Sequence, residues 1–141
     1  MNVLIDTCVW TLALRRRPSG LTADERATLL EVTELIRDDR AVMIGPVRQE
    51  LLSGIRLEAD FDRLRLRLND FEDVVLETED FEEAARCYNL CRACGIIGSS
   101  VDFLICAAAL RRGYGLFTVD ADFKGYARHL PLTMHVYRSR D

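Results

Sequence analysis

Lysine is almost absent from this sequence: of nineteen basic side chains in 141 residues, only Lys124 is not an arginine. Any chemistry that needs a lysine in its site has one candidate. Histidine is nearly as scarce, with His129 and His135 both late in the chain and neither part of a nucleophile constellation. His135 lies in an apolar stretch and reads as a packed histidine. No apolar run approaches the ~20 residues that cross a bilayer, so no membrane association is expected. The opening Met1–Asp6 has no positive region and no long apolar core, which predicts no secretory signal. The five cysteines are an odd number; without a secretion signal they are expected to be reduced thiols in a cytoplasm. Gly113-x-Gly115 precedes an apolar run instead of following one, so it is not a dinucleotide-binding turn. Internal repeats, low-complexity stretches and linkers are missing, and the length suits a single domain over 1–141.

What is present is an ordinary globular composition, with 49% hydrophobic and 30% charged residues and a net charge of −4. So small a charge neither supports nor excludes nucleic acid as a partner. The arginine bias has two readings, a GC-rich genome or the recognition of phosphates by planar, two-pronged donors. Short apolar runs at Val3–Ile5, Ala41–Ile44, Val74–Leu76, Leu116–Val119 and Leu132–Val136 predict five strands. Between them lie helical patterns. One runs from about Thr22, a fair N-cap, to Asp38, and one opens at Gly45-Pro46 and carries Glu50 through Ile55. Others cover about Asp60–Asn69, Thr78 to near Gly95, Val101–Arg112 after a Ser99 or Ser100 cap, and Asp122–His129. This alternation predicts an α/β fold, a doubly wound and mainly parallel five-stranded sheet flanked by helices.

In a parallel sheet the strand C-termini share one edge, and the loops there form the ligand crevice. Val3–Ile5 runs into Asp6 and Leu116–Val119 into Asp120, while Glu50 and Asp102 sit near the starts of helices that begin at that edge. Four acids far apart in sequence are thereby brought together. Glu50 and Asp102 also suit helix N-termini, and Asp120 could form a turn with Asp122. An acid closing a buried strand, as Asp6 does, has no packing role. Clustered carboxylates repel one another, and a hard cation such as Mg²⁺ or Mn²⁺, which prefers oxygen ligands, relieves the repulsion. Such an ion is suited to orienting water for attack on a phosphodiester.

The same residues carry a family resemblance. Val3-Leu4-Ile5-Asp6-Thr7-Cys8-Val9-Trp10, Val47-Arg48-Gln49-Glu50-Leu51, Asp102-Phe103-Leu104-Ile105-Cys106-Ala107-Ala108-Ala109 and Leu116-Phe117-Thr118-Val119-Asp120-Ala121-Asp122-Phe123 resemble, in order and spacing, the four motifs of PIN domains and specifically of VapC toxins. The resemblance covers essentially the whole chain. It implies a Mg²⁺- or Mn²⁺-dependent endoribonuclease, cytoplasmic, homodimeric and inhibited by a cognate antitoxin. Its acidic cluster would be Asp6, Glu50, Asp102 and Asp120, catalytic and metal-binding, with Thr7, Thr118 and Asp122 in support. Cys8 departs from the polar residue of many members, so a contact to the site is expected to be missing there. The alternative within the family is a non-catalytic RNA- or protein-binding PIN domain.

Other signals weigh less. Cys87, Cys91 and Cys94 have the spacing of an iron–sulfur triad but fall on one face of a predicted helix, where thiols pack as small hydrophobes. Arg15-Arg16-Arg17 follows the first helix and reads either as a solvated turn or as a patch contacting RNA phosphates. Arg111-Arg112 is expected in solvent, and Arg63, Arg65 and Arg67 alternate and cannot all share one helix face. Phosphatases of the haloacid dehalogenase type need a second aspartate where Cys8 stands, and they and receiver domains use a lysine in the site; Lys124 lies in no such motif.

Overall fold

The computed structural model describes residues 1–15 and 19–139. Five strands, β1 (Val3–Ile5), β2 (Ala41–Ile44), β3 (Asp73–Val74), β4 (Gly115–Phe117) and β5 (Thr133–Met134), form one sheet in the order β3-β2-β1-β4-β5. Every neighbouring pair is parallel. Among the described residues seven helices connect them: α1 (Thr7–Leu14), α2 (Ala23–Arg37), α3 (Gly45–Leu52), α4 (Glu58–Leu68), α5 (Thr78–Ala93), α6 (Ser100–Arg112) and α7 (Asp122–Ala127).

The central strand β1 is apolar throughout because it is buried throughout: Val3, Leu4 and Ile5 are fully enclosed. Each such side chain contributes about 1.5–3 kcal/mol of burial. From β1 the chain builds outward to β2 and β3, then returns to place β4 on the other flank of β1. The strand order reverses between β1 and β4, and a crevice opens at their C-terminal ends. The register Ile5↔Phe117 brings Asp6 and Thr118 alongside one another, and the Asp6 amide donates to the Phe117 carbonyl at 2.9 Å.

The helix ends follow local chemistry. Thr22 and Glu25 form a reciprocal capping box at α2. Ser99 caps α6, and Gly113 ends it at φ 68°. α3 ends before Ile55, because Gly54 turns the chain into the left-handed region at φ 84°. β3 is shorter than the Val74–Leu76 run and begins earlier. Arg48 grips Asp73 at 2.8 Å, whereas Val75 is exposed and its carbonyl accepts from Arg112. β4 stops at Phe117 because the next hydroxyl, Thr118, turns inward and takes the Asp120 amide at 3.0 Å, drawing the chain out of the ladder. β5 and α7 are likewise shorter than the patterns suggested.

Arg111 stays exposed, as expected, whereas Arg112 is half-buried, and both pair with one buried acid. Asp80, fully buried in the first turn of α5, accepts from Arg111 at 2.7 Å and from both terminal nitrogens of Arg112 at 2.7 and 2.8 Å. It also caps the Glu77 amide. The Arg112 guanidinium leads the effects that hold this carboxyl far below the usual range, against the opposing cost of burial. Cys87 and Cys91 pack in the core, while Cys94 is the exposed C-cap of α5. Burial pushes the Cys87 thiol up to about 11. His135 is packed between Phe117, at 5.1 Å, and the buried Glu31, at 2.8 Å. Among the described residues no helix is long and apolar enough to cross a membrane.

Candidate active site

Asp6 follows β1 and is the N-cap of α1, its Oδ1 accepting the Thr7 amide at 2.7 Å. Only 5% of it is exposed. Its other oxygen, Oδ2, accepts the Thr118 hydroxyl at 2.7 Å. Thr118 thus performs two tasks, donating to Asp6 and accepting the backbone amide of Asp120. Asp120 Oδ1 in turn accepts the Asp122 amide at 2.9 Å, closing a tight turn into α7. On the other side Thr7 donates to Glu50 Oε1 at 2.6 Å, joining α3 to the head of α1.

Asp102 enters from α6. Its amide is capped by Ser99 at 3.1 Å, and its Oδ2 accepts the Tyr126 hydroxyl at 2.7 Å. Asp102, Asp120 and Asp122 each offer a carboxylate oxygen, all within 4.8 Å of one another. Burial raises the pKa of Asp102; hydrogen bonds from Tyr126 and Ser99 oppose that rise, and the charges of Asp6 and Asp120 add to it. The rise comes chiefly from burial, with the neighbouring carboxylates a smaller contribution in the same direction. The donor set is all oxygen and anionic, which fits a hard divalent cation.

The structure therefore brings the sequence-predicted acids to one edge, with a redistribution of parts. Asp122, expected in support, lies in the tightest carboxylate group together with Asp102 and Asp120. Asp6 and Glu50 are tied to the site through Thr118 and Thr7. Cys8 does not leave its contact empty: its thiol lies 3.5 Å from Asp6 Oδ2 and 3.6 Å from the Thr118 hydroxyl, and accepts the Val119 amide. Burial, followed by the charge of Asp6, pushes this thiol up and keeps it protonated. Arg15 stands at the far end of α1 from Asp6 and donates to the Leu51 carbonyl at 3.4 Å. Arg16 and Arg17 lie outside the described residues.

Sequence reasoning missed Tyr126 and Gly98. Tyr126 is fully buried, with its ring between Phe103 at 4.9 Å and Phe123 at 5.0 Å. Burial and the Asp102 charge push its phenol far above the ordinary range, so it is a permanent donor. Gly98 makes room for it: a Cβ there would stand 2.3 Å from the Tyr126 oxygen and 2.9 Å from the Phe103 ring. The one signal in the sequence was the spacing Asp122-x-x-x-Tyr126, one helical turn, which puts both side chains on the same face of α7.

The PIN domain family profile matches residues 3–129. VapC ribonuclease Mb1587 of Mycobacterium bovis and ribonuclease VapC11 of Mycobacterium tuberculosis are each 32% identical to the chain over 128 residues, spanning 89% of it and 92% of their own lengths. Among solved structures, VapBC2 of Rickettsia felis bound to a promoter DNA fragment superposes with a TM-score of 0.75 at 16% identity, covering 96% of this chain and 98% of that one. FitAcB of Neisseria gonorrhoeae gives 0.70 at 18% identity, covering 89% and 93%. Motif order, a five-stranded parallel sheet with acids at its switch point, and relatives spanning nearly the whole chain agree: the protein belongs to the PIN-domain family, among the VapC ribonucleases.

Proposed function

We propose that this protein is a metal-dependent endoribonuclease and the toxin of a toxin–antitoxin pair. The observation that carries the reading is the convergence of Asp102, Asp120 and Asp122 within 4.8 Å, beside the nearly buried Asp6. A structural module has no use for so many acids at one sheet edge, since their mutual repulsion destabilises the fold.

Asp6, Asp102, Asp120 and Asp122 are the residues that would hold Mg²⁺ or Mn²⁺, with Glu50 at the rim. When bound, such an ion supplies charge neutralisation at the phosphodiester and lowers the pKa of attacking water. The chain's own side chains do the positioning. Thr118 fixes the orientation of Asp6 and the backbone of Asp120 together, Thr7 holds Glu50 at the mouth of the crevice, and Tyr126 restrains Asp102. Thr7 and Thr118 are also placed to orient water. Arg15, with Arg16 and Arg17 beside it in sequence, would contact phosphates of the RNA and offset the repulsion between an acidic site and a polyanion.

The partner follows from the same electrostatics. A cognate antitoxin inhibits by placing a cation, such as a bidentate arginine, among these carboxylates. Among the structural relatives, VapBC2 of Rickettsia felis is bound to a DNA fragment from its promoter. A homodimer in the cytoplasm completes the reading. Loss of one of the four expected acids would have favoured the non-catalytic alternative; all four are present. The test is cleavage of total RNA by purified protein in Mn²⁺, in EDTA, and by Asp120→Asn. Cleavage confined to wild type with metal is the expected result; equal cleavage by wild type and Asp120→Asn in Mn²⁺ contradicts it.

A further inference from the structure

A second feature lies beyond the carboxylates, where α1 and α3 end. The helices that begin at or carry the site, α1 from Asp6 and α3 with Glu50, both run out onto a groove of about 580 Å³ whose other wall is α4. Its floor is Leu14, Ile55 and Leu64, and its rim carries Arg15, Arg56, Arg63 and Arg67. Among the described residues Asp60 is the groove's only carboxylate, and it is already engaged by Arg63 at 2.9 Å. The groove is therefore cationic in a protein whose net charge is −4.

We propose that this groove is a phosphate track that holds the RNA strand on one side of the cleavage site; the proposal rests on the ribonuclease reading. Three observations select a phosphodiester chain as the occupant. The first is charge: four guanidinium groups face one neutralised acid, and Arg56 has no carboxylate partner among the described residues. The second is continuity. α1 rises ~12 Å over its eight residues, so the groove begins a few nucleotides from Asp6, the distance at which a strand lying across the acidic site first needs cations. The third is spacing. Arg63 and Arg67 are four residues apart on α4, about 6 Å along the axis, a separation on the scale of neighbouring phosphates in an extended strand. The alternation of Arg63, Arg65 and Arg67 divides them by face: the outer two line the groove, and Arg65 pairs with Asp62 outside it.

Two of the four are also fixed in place. Arg67 donates to the Leu14 carbonyl at 2.7 Å and Arg15 to that of Leu51 at 3.4 Å. Each spends one of its five donors on the fold and keeps the others for a ligand. Rigid arginines lose less side-chain entropy on binding than free ones.

The test uses the full chain with dodecauridylate as probe, in EDTA so that no cleavage occurs, over a salt series. The double variant Arg56→Gln/Arg63→Gln removes two rim charges at the cost of the exposed Arg63–Asp60 ion pair; Arg65→Gln on the same helix, which breaks the comparably exposed Arg65–Asp62 pair, is the control. The slope of log affinity against log salt is expected to fall by about 1.4 in the double variant, about 0.7 for each phosphate contact on a single strand. It should not change in Arg65→Gln. Melting temperature and Mn²⁺ binding followed by electron paramagnetic resonance should match wild type in both. An unchanged slope in the double variant, with wild-type cleavage of total RNA intact, overturns the groove alone. Lost affinity for an oligoglutamate peptide with an unchanged RNA slope also overturns it, in favour of a protein partner. Absence of Mn²⁺-dependent cleavage by wild type overturns the ribonuclease reading and the groove with it.

Discussion

Tyr126 is the residue whose role the structure changes most. Its hydroxyl donates to Asp102 Oδ2 and so restrains one member of the carboxylate cluster. Groups that hold a ligating side chain from behind typically carry 10–100-fold in metal affinity. Tyr126→Phe keeps the ring packed between Phe103 and Phe123 and removes only the donor. Calorimetric titration with Mn²⁺ should show roughly 10-fold weaker binding, with little change in the metal-free melting temperature; unchanged affinity would make the tyrosine a packing residue only. Cys8 admits a similar comparison. Its thiol touches Asp6 and Thr118 at 3.5–3.6 Å, where a hydroxyl forms stronger bonds. Cys8→Ser should retain cleavage and Cys8→Ala should lower it, measured as kcat on one RNA substrate. An alanine variant as active as wild type would show that the thiol positions nothing.

At the scale of elements, the pairing of α5 with α6 depends on Asp80. Replacing this fully buried carboxylate forfeits its charge-assisted hydrogen bonds to Arg111 and Arg112, each worth about 1.5–3 kcal/mol. Asp80→Asn should therefore lower the melting temperature by roughly 10–20 °C, while Arg65→Gln on the exposed face of α4 should barely move it. The pH dependence has a definite sign. The folded pKa of Asp80 lies far below the unfolded value of about 3.9. Its contribution is fully present above about pH 4 and is lost as the pH falls toward the folded pKa. Urea unfolding between pH 5 and pH 2.5 should show wild type losing stability faster than Asp80→Asn; parallel curves would contradict the assignment. The elements themselves were legible where the chain marks its own boundaries, as at Thr22, Gly45-Pro46, Ser99 and Gly113. They were not where a distant side chain decides. β4 ends early because Thr118 turns toward Asp6, and Arg111 and Arg112 are drawn onto the buried Asp80, thirty-odd residues away. Nothing local to α6 distinguishes a freely solvated arginine pair from one anchored on a buried acid.

For the whole molecule, the sheet order explains why the site was readable at all. Acids after β1 and β4 meet because those strands are neighbours at the reversal of strand order. Parallel-sheet geometry anticipates that convergence without any contact being known. It does not reveal which acids come closest, since the turn from Asp120 into α7 carries Asp122 inward through a hydrogen bond from its own amide. The same convergence makes the metal-free protein self-repelling at the C-terminal edge of its sheet. A ligand that binds only the native state stabilises it by about 2.7 kcal/mol at a hundredfold excess over its dissociation constant. The most direct test of the central claim is therefore thermal unfolding with and without saturating Mn²⁺, in wild type and in Asp120→Asn. A shift of several degrees in wild type that is abolished in Asp120→Asn is the predicted result. No shift in wild type, or an equal shift in both proteins, would contradict a metal site built from these carboxylates.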